Sequence, residues 1–257
     1  RFEILFRKLQ VMKIAVFGFG LYRQFEEVAP TWQDTYGKYN PDYYITTWDT
    51  SREKGLDVSD NPYDILHIPT TEKIKQFLPN ATVCIVNNTK SIAVGSRPWY
   101  QLKLCATNLI SSNKHYDLIV VKRLDSIEYF DYNIFENINP NAIYSKTGFK
   151  NKEYDFFDPL WYGCKEPMLK FINEFAESKY FFDGINCHKD PDKFLYENKY
   201  EQEKFPGYVN HQIIRVNMRH LFKEYTPLTS KFFRDFKKDF STLTDEWDNN
   251  MSRKREL

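Results

Sequence analysis

The sequence predicts an α/β fold built on parallel strands, and three features carry that expectation. Lys13-Ile14-Ala15-Val16-Phe17-Gly18 is a short β-branched run closed by glycine, the pattern of a buried strand. Phe25, Val28, Ala29, Trp32 and Tyr36 then recur at near-helical spacing, and Tyr43-Tyr44-Ile45-Thr46-Thr47-Trp48 forms a second strand after the turn Asn40-Pro41-Asp42. A strand, a helix and a strand in that order imply parallel strands joined by a right-handed crossover. The third feature is Tyr116-Asp117-Leu118-Ile119-Val120-Val121, the strongest strand signal of the chain, which follows another helical stretch.

The remaining elements follow the same rules. Residues 50–62 are polar and loop-like, and 63–68 read as a strand. Residues 70–78 read as a short helix, with Thr70 or Thr71 as its N-cap and Glu72 in its first turn. Residues 81–86 form a strand, and 99–111 a helix with apolar positions at Trp99, Leu102, Leu104, Cys105 and Leu109. Residues 142–145 read as a strand, 156–163 as strand or loop, 167–177 as a helix and 212–218 as a strand. The stretch 180–207 is aromatic, charged and weakly periodic. No internal repeat or low-complexity linker interrupts the chain, so one α/β domain with an elaborated C-terminal part is expected.

Composition excludes several classes of function. The 36 Lys+Arg against 35 Asp+Glu leave a net charge of +1, which argues against a nucleic-acid or anionic-membrane binder. Apolar residues at 42% and aromatics at 18% are enough for a large core and exclude global disorder. No apolar run reaches the roughly 18 residues of a membrane span. Residues 1–12 read as an N-terminal extension, charged and without a small-residue cleavage site, unlike a signal peptide. Cys84, Cys105, Cys164 and Cys187 are scattered, with no C-x-x-C pair, so neither a zinc site nor a disulfide framework is expected. Free thiols fit a reducing, cytoplasmic compartment.

Ligands of parallel α/β sheets bind at the carboxyl ends of the strands. Three such ends carry candidate groups: Gly18, Gly20 and Arg23 after the first strand, Asp49 after the second, and Arg123 with Asp125 after the central one. Glycines let backbone N–H groups approach a phosphate, arginine forks onto its oxygens, and carboxylates hold a hard cation. The set therefore suits a phosphorylated ligand, with or without a divalent cation. Gly18-x-Gly20 with Asp49 also evokes an NAD(P)-dependent oxidoreductase, but the third glycine of that fingerprint is absent. A plainer reading gives the glycines a tight turn and Asp49 a turn cap.

In succession these segments resemble a glycosyltransferase-like family of viruses and bacteria that decorates surface glycans. Residues 14–32, with Gly20-Leu21-Tyr22-Arg23, Phe25, Pro30 and Trp32, resemble its opening S-G-Q-L-R-x-F…P-x-W; Leu21 departs from the family's glutamine. Residues 40–49, from Asn40 to Trp48-Asp49, are similar to N-x-D-x-F-I-H-T-W-D, with Thr46 in place of histidine. Trp99-Tyr100-Gln101 and the helix after it are similar to Q-x-Y-S-x-Y-K-A-N-E-L. Residues 116–125 resemble Y-D-x-V-I-R-x-R-x-D, matching it at Arg123 and Asp125, and Asp158-Pro159-Leu160-Trp161-Tyr162-Gly163 resembles D-Q-F-A-I-G. The resemblance runs in order over roughly residues 13–220.

The resemblance implies a GT-A-like fold, a Rossmann-like, mixed but mostly parallel sheet flanked by helices. It divides residues 13–228 into a nucleotide-binding half (about 13–126) and an acceptor half (about 127–228), followed by a charged, partly helical tail at 229–257. It implies transfer of a sugar from a nucleotide-sugar donor to a glycan or surface-polymer acceptor. In such enzymes a D-x-D holds Mn²⁺ or Mg²⁺ against the donor diphosphate; here Arg123-Leu124-Asp125 offers a single carboxylate, so Asp125 is the one metal ligand expected. Gly18, Gly20, Arg23, Asp49, Arg123 and Asp125 would bind the donor, and Asp158 would be the catalytic base of an inverting reaction. Asp190-Pro191-Asp192 is formally D-x-D but reads as a turn, and His188 and His211 read as ordinary surface or core histidines. The rival to an enzyme is a carbohydrate- or partner-binding protein on a decayed transferase fold, motivated by the incomplete D-x-D.

Overall fold

The strand Ile14–Gly20 (β1) is apolar on both faces because it lies inside the sheet and is covered on both sides. The computed structural model describes residues 12–22, 25–49, 68–87, 92, 96–130, 133, 136–145, 160–182, 189–206 and 209–213. After β1 come Phe25–Tyr36 (α1), Asp42–Trp48 (β2), Thr71–Phe77 (α2), Ala81–Val86 (β3), Arg97–Ser111 (α3) and Leu118–Arg123 (β4). Ser126–Phe130 (β5), Ala142–Ser145 (β6), Leu160–Cys164 (β7) and Lys165–Ala176 (α4) follow. Lys179–Phe182 (α5), Lys189–Glu197 (α6), Glu201–Lys204 (β8) and Val209–Ile213 (β9) complete the described chain.

Seven strands form one sheet in the order β3-β2-β1-β4-β7-β6-β8. β3, β2, β1 and β4 are mutually parallel, β7 runs against both β4 and β6, and β8 is parallel to β6. The fold is therefore α/β with a mixed, mostly parallel, Rossmann-like sheet, as the β–α–β opening requires. β5 pairs with β9 in a separate two-stranded antiparallel sheet.

The alternation of side chains along the strands divides the interior into two cores. Val16, Ile45, Val120 and Leu124 pack on one face under α1 and α2, with Trp32 and Ile74. Phe17, Phe19, Ile119 and Val121 pack on the other under α3 and α4, where Trp99 sits 5.6 Å from Trp161 and 5.2 Å from Phe171, ring centre to ring centre. Local signals set the boundaries. Asn40 closes the turn after α1 at φ 46°, a conformation asparagine tolerates, and the Thr70 hydroxyl accepts from the Lys73 N–H to cap α2. Pro98 stands in the first turn of α3, which starts at Arg97, two residues before its periodicity begins at Trp99.

The chain path fixes where a ligand would sit. From β1 it steps outward to β2 and β3 on one side, then α3 carries it back across the opposite face to β4 on the other side of β1. The direction of winding thus reverses between β1 and β4. In open α/β sheets this switch point opens a crevice at the carboxyl ends of the two strands.

Several segments differ from the sequence-based expectation. β4 runs on through Lys122 and Arg123, because Lys122 is buried against Glu128 rather than solvated. β5 carries that same Glu128 inward, which hides its pattern. Residues 180–207, weakly periodic, include α5, α6 and β8. Asp190-Pro191-Asp192 is the first turn of α6 rather than a turn in irregular chain, and acidic residues suit that positive end. β9 begins three residues before the expected strand. The expected strand at 63–68 falls outside the described residues except for an exposed Ile68, and the tail at 229–257 falls outside them entirely. Among the described residues no helix is long and apolar enough to cross a membrane.

Candidate functional site at the carboxyl rim of the sheet

Gly18, Gly20, Asp49, Arg123 and Asp125 all fall on three adjacent strands, β2, β1 and β4, toward their carboxyl ends. The register pairs Gly20 with Thr47 on one side and Phe19 with Arg123 on the other. Arg23 and Asp158 lie outside the described residues, as does His188. His211 stands in β9, opposite Glu128 in the register.

The two glycines serve different ends. A Cβ on Gly18 would lie 2.6 Å from Ile45 Cδ1 and 2.8 Å from Trp32 Cη2, so this glycine lets α1 approach the sheet and sits inside the core rather than at a ligand. Gly20 bends the chain off the end of β1 at φ 118°, where a side chain would be strained. Its N–H donates to Gln101 Oε1 and its carbonyl accepts from Gln101 Nε2, both at 3.1 Å, with a further bond from Thr47 Oγ1 at 3.0 Å. A buried amide of α3 thereby takes the place of a neighbouring strand where β1 stops. The bend is rigid, and the Gly20 N–H is engaged by protein.

Arg123 and Asp125 form a fork. Arg123 Nε and Nη2 donate to Asp125 Oδ1 and Oδ2, each at 2.8 Å. The Asp125 side chain is 3% exposed and that of Arg123 25%, so the carboxylate is held inside and the guanidinium reaches the rim. This geometry bears on the expected metal. Both Asp125 oxygens are occupied by arginine, and among the described residues no three His, Cys, Asp or Glu stand together to hold an ion. The donor set among the described residues does not fit a divalent cation.

Beneath the fork lies a buried ion pair that the residue patterns did not reveal. Lys122 Nζ donates to Glu128 Oε2, and the side chains are 1% and 0% exposed. The Ser126 hydroxyl donates to Glu128 Oε1 at 2.5 Å; the same hydroxyl lies 2.9 Å from the Arg123 carbonyl. The ammonium also lies 4.0 Å from the centre of the Trp32 ring. Burial pulls the Lys122 ammonium down to about 8 against the opposing pull of Glu128. The two-residue turn Leu124-Asp125 is thus anchored on both flanks. A lysine directly after Val120-Val121, in an otherwise apolar strand, was the available signal.

Asp49 is exposed at the end of β2, with its N–H donating to the Val86 carbonyl at 2.8 Å. Next to it Trp48 stacks on Tyr100 of α3, 6.2 Å between ring centres and 12° between planes. Cys105, deeper under α3, is fully buried: burial raises its thiol to about 12, and its sulfur lies 3.2 Å from Thr46 Oγ1. In comparisons with protein-family models and with curated protein sequences, the chain matches none.

Proposed function

We propose that this protein is a nucleotide-sugar-dependent glycosyltransferase that transfers a sugar to a glycan or surface-polymer acceptor. The observation that carries the proposal is the reversal of winding between β1 and β4, at whose carboxyl ends the Gly20 bend and the Arg123–Asp125 fork stand side by side. In transfer, the bond from the anomeric carbon to the diphosphate oxygen breaks and the bond to the acceptor oxygen forms. The electron pair leaves with the nucleoside diphosphate, so negative charge grows there, where the guanidinium of Arg123 stabilises it. Asp125 acts as a positioning residue, holding that guanidinium in one orientation. Asp158 accepts the acceptor's proton in this reading, and Arg23 adds a second cation; both roles come from the sequence resemblance. Free thiols at Cys84, Cys105 and Cys164 agree with a reducing, cytoplasmic setting.

Asp49 at the end of β2, beside β1, favours a second reading, a dinucleotide-dependent oxidoreductase in which that carboxylate would hold ribose hydroxyls. One experiment separates the two. Thermal shift and nucleoside diphosphate release are measured with a panel of UDP- and GDP-sugars, with and without Mn²⁺, beside an NADH arm. The transferase reading expects stabilisation by a nucleoside diphosphate and turnover of its sugar, with Arg123→Ala lowering kcat about 10²–10³-fold. Stabilisation by NADH alone would replace it with the oxidoreductase.

A further inference from the structure

Arg97 opens α3 and is buried, only 4% exposed. Its Nε donates to the Ile92 carbonyl at 3.3 Å, while its Nη1 is buried with no hydrogen-bond partner. No carboxylate pairs with it among the described residues. A buried guanidinium without an anion is costly to fold around, and a buried N–H left without an acceptor adds to that cost. The end of the helix around it also lacks a side-chain cap. Ser96, the N-cap, makes no side-chain bond to the α3 backbone, and its hydroxyl donates instead to the Phe181 carbonyl at 2.5 Å. The first-turn N–H groups of a fifteen-residue helix and an arginine N–H thus occur together, both lacking an acceptor from the cap.

The periodicity of α3 places this feature at the rim. Cys105 lies under the Gly18 level, with its sulfur 3.9 Å from the Gly18 carbonyl, and Gln101 clasps Gly20. Four residues of helix rise about 6 Å, close to the roughly 6.6 Å that two residues of strand cover. One further step of four carries the helix from Gln101 to Arg97, beyond the last residue of β1, on the same side as Gln101 and Cys105.

We infer that Arg97 and the N-terminus of α3 form a seat for a diphosphate oxyanion, on the opposite wall of the crevice from Arg123. The inference deepens the transferase reading and rests on its placement of the ligand. The diphosphate bridges the two guanidinium groups, and its oxygens supply the acceptors that Arg97 Nη1 and the helix end lack.

Isothermal titration of the full chain with inorganic pyrophosphate, orthophosphate, UDP and GDP tests this, using Arg97→Met, Arg97→Lys and Ser96→Asp. Pyrophosphate and a nucleoside diphosphate are expected to bind the parent, with orthophosphate weaker. Arg97→Met is expected to weaken pyrophosphate about tenfold or more, while its unliganded Tm stays at or above the parent's because an unpaired buried charge has gone. Should Arg97→Met not fold, Arg97→Lys, which keeps the charge and loses the fork, decides by weaker binding of pyrophosphate. Ser96→Asp, which brings a carboxylate to the helix end, is expected to weaken pyrophosphate binding. Failure of all four probes to bind the parent overturns the seat, and so does unchanged binding in the Arg97 variants. Arg97-dependent pyrophosphate binding without turnover of any nucleotide sugar would keep the seat and remove the transferase; turnover with normal binding in both Arg97 variants would do the reverse.

Discussion

Replacing Glu128 by Gln is the perturbation whose cost the structure defines best. It leaves Lys122 in the core, 1% exposed, without the carboxylate that faces it. Lys122 already sits at about 8 rather than its ordinary 10.5, equivalent to ~3 kcal/mol of unfavourable burial at pH 7. Without Glu128 the lysine must be buried neutral, and bringing it from its ordinary value to pH 7 costs ~5 kcal/mol. The electrostatic increment, one unit from about 8 to 7, is therefore ~1 kcal/mol, and weakened hydrogen bonds to Lys122 and Ser126 add ~1–2 kcal/mol. The expected loss, ~2–3 kcal/mol, reaches the lower end of the range for breaking a buried pair and is a large part of an ordinary folding free energy. Equilibrium urea unfolding followed by tryptophan fluorescence reads it, since Trp32 lies 4.0 Å from the ammonium. Lys122→Met combined with Glu128→Gln is expected to recover to within ~1 kcal/mol of the parent, because it removes the stranded charge. A loss below ~1 kcal/mol for Glu128→Gln, or a double variant as unstable as the sum of its singles, would refute the reasoning.

Three further outcomes are expected. Because Lys122 has its folded value depressed, the unfolded chain holds a proton that the native chain lacks between about pH 8 and 10.5, so this group makes stability rise with pH across that window. Urea titrations at several pH values should show that contribution in the parent and its loss in Lys122→Met. Gly18→Ala would put a methyl group 2.6 Å from Ile45 and 2.8 Å from Trp32, at an expected cost of ~1–3 kcal/mol by thermal unfolding; an unchanged Tm would show that α1 is looser than its contacts indicate. Gln101→Leu would leave the Gly20 N–H without its acceptor and weaken nucleotide binding along with stability. Gln101→Glu keeps the acceptor and loses the donor, so it should fall between parent and leucine variant in both readouts.

Much of the fold was legible because the central strands are apolar on both faces and the helices between them are amphipathic. α1 is bounded where its periodicity begins and ends, at Phe25 and Tyr36, and Thr70 caps α2 as its side chain allows. The eye fails where charge enters the core. Lys122 and Glu128 are polar by type but satisfied by each other, so β4 is longer than its apolar run and β5 carries a buried Glu128 among Ile127, Tyr129 and Phe130. The site was legible only in outline. Gly20, Asp49 and Arg123–Asp125 come from adjacent strand ends, a consequence of parallel topology. Gln101 was invisible as a partner of that rim, because its role depends on how α3 crosses the sheet, which no local pattern encodes.

The most direct measurement of the central claim is a crystal structure of the full chain with UDP or GDP bound. The diphosphate is expected beyond the carboxyl ends of β1 and β4, within hydrogen-bonding reach of Arg123 and Arg97. A diphosphate found at the opposite edge of the sheet, beside Asp42 and Lys114, would contradict the account.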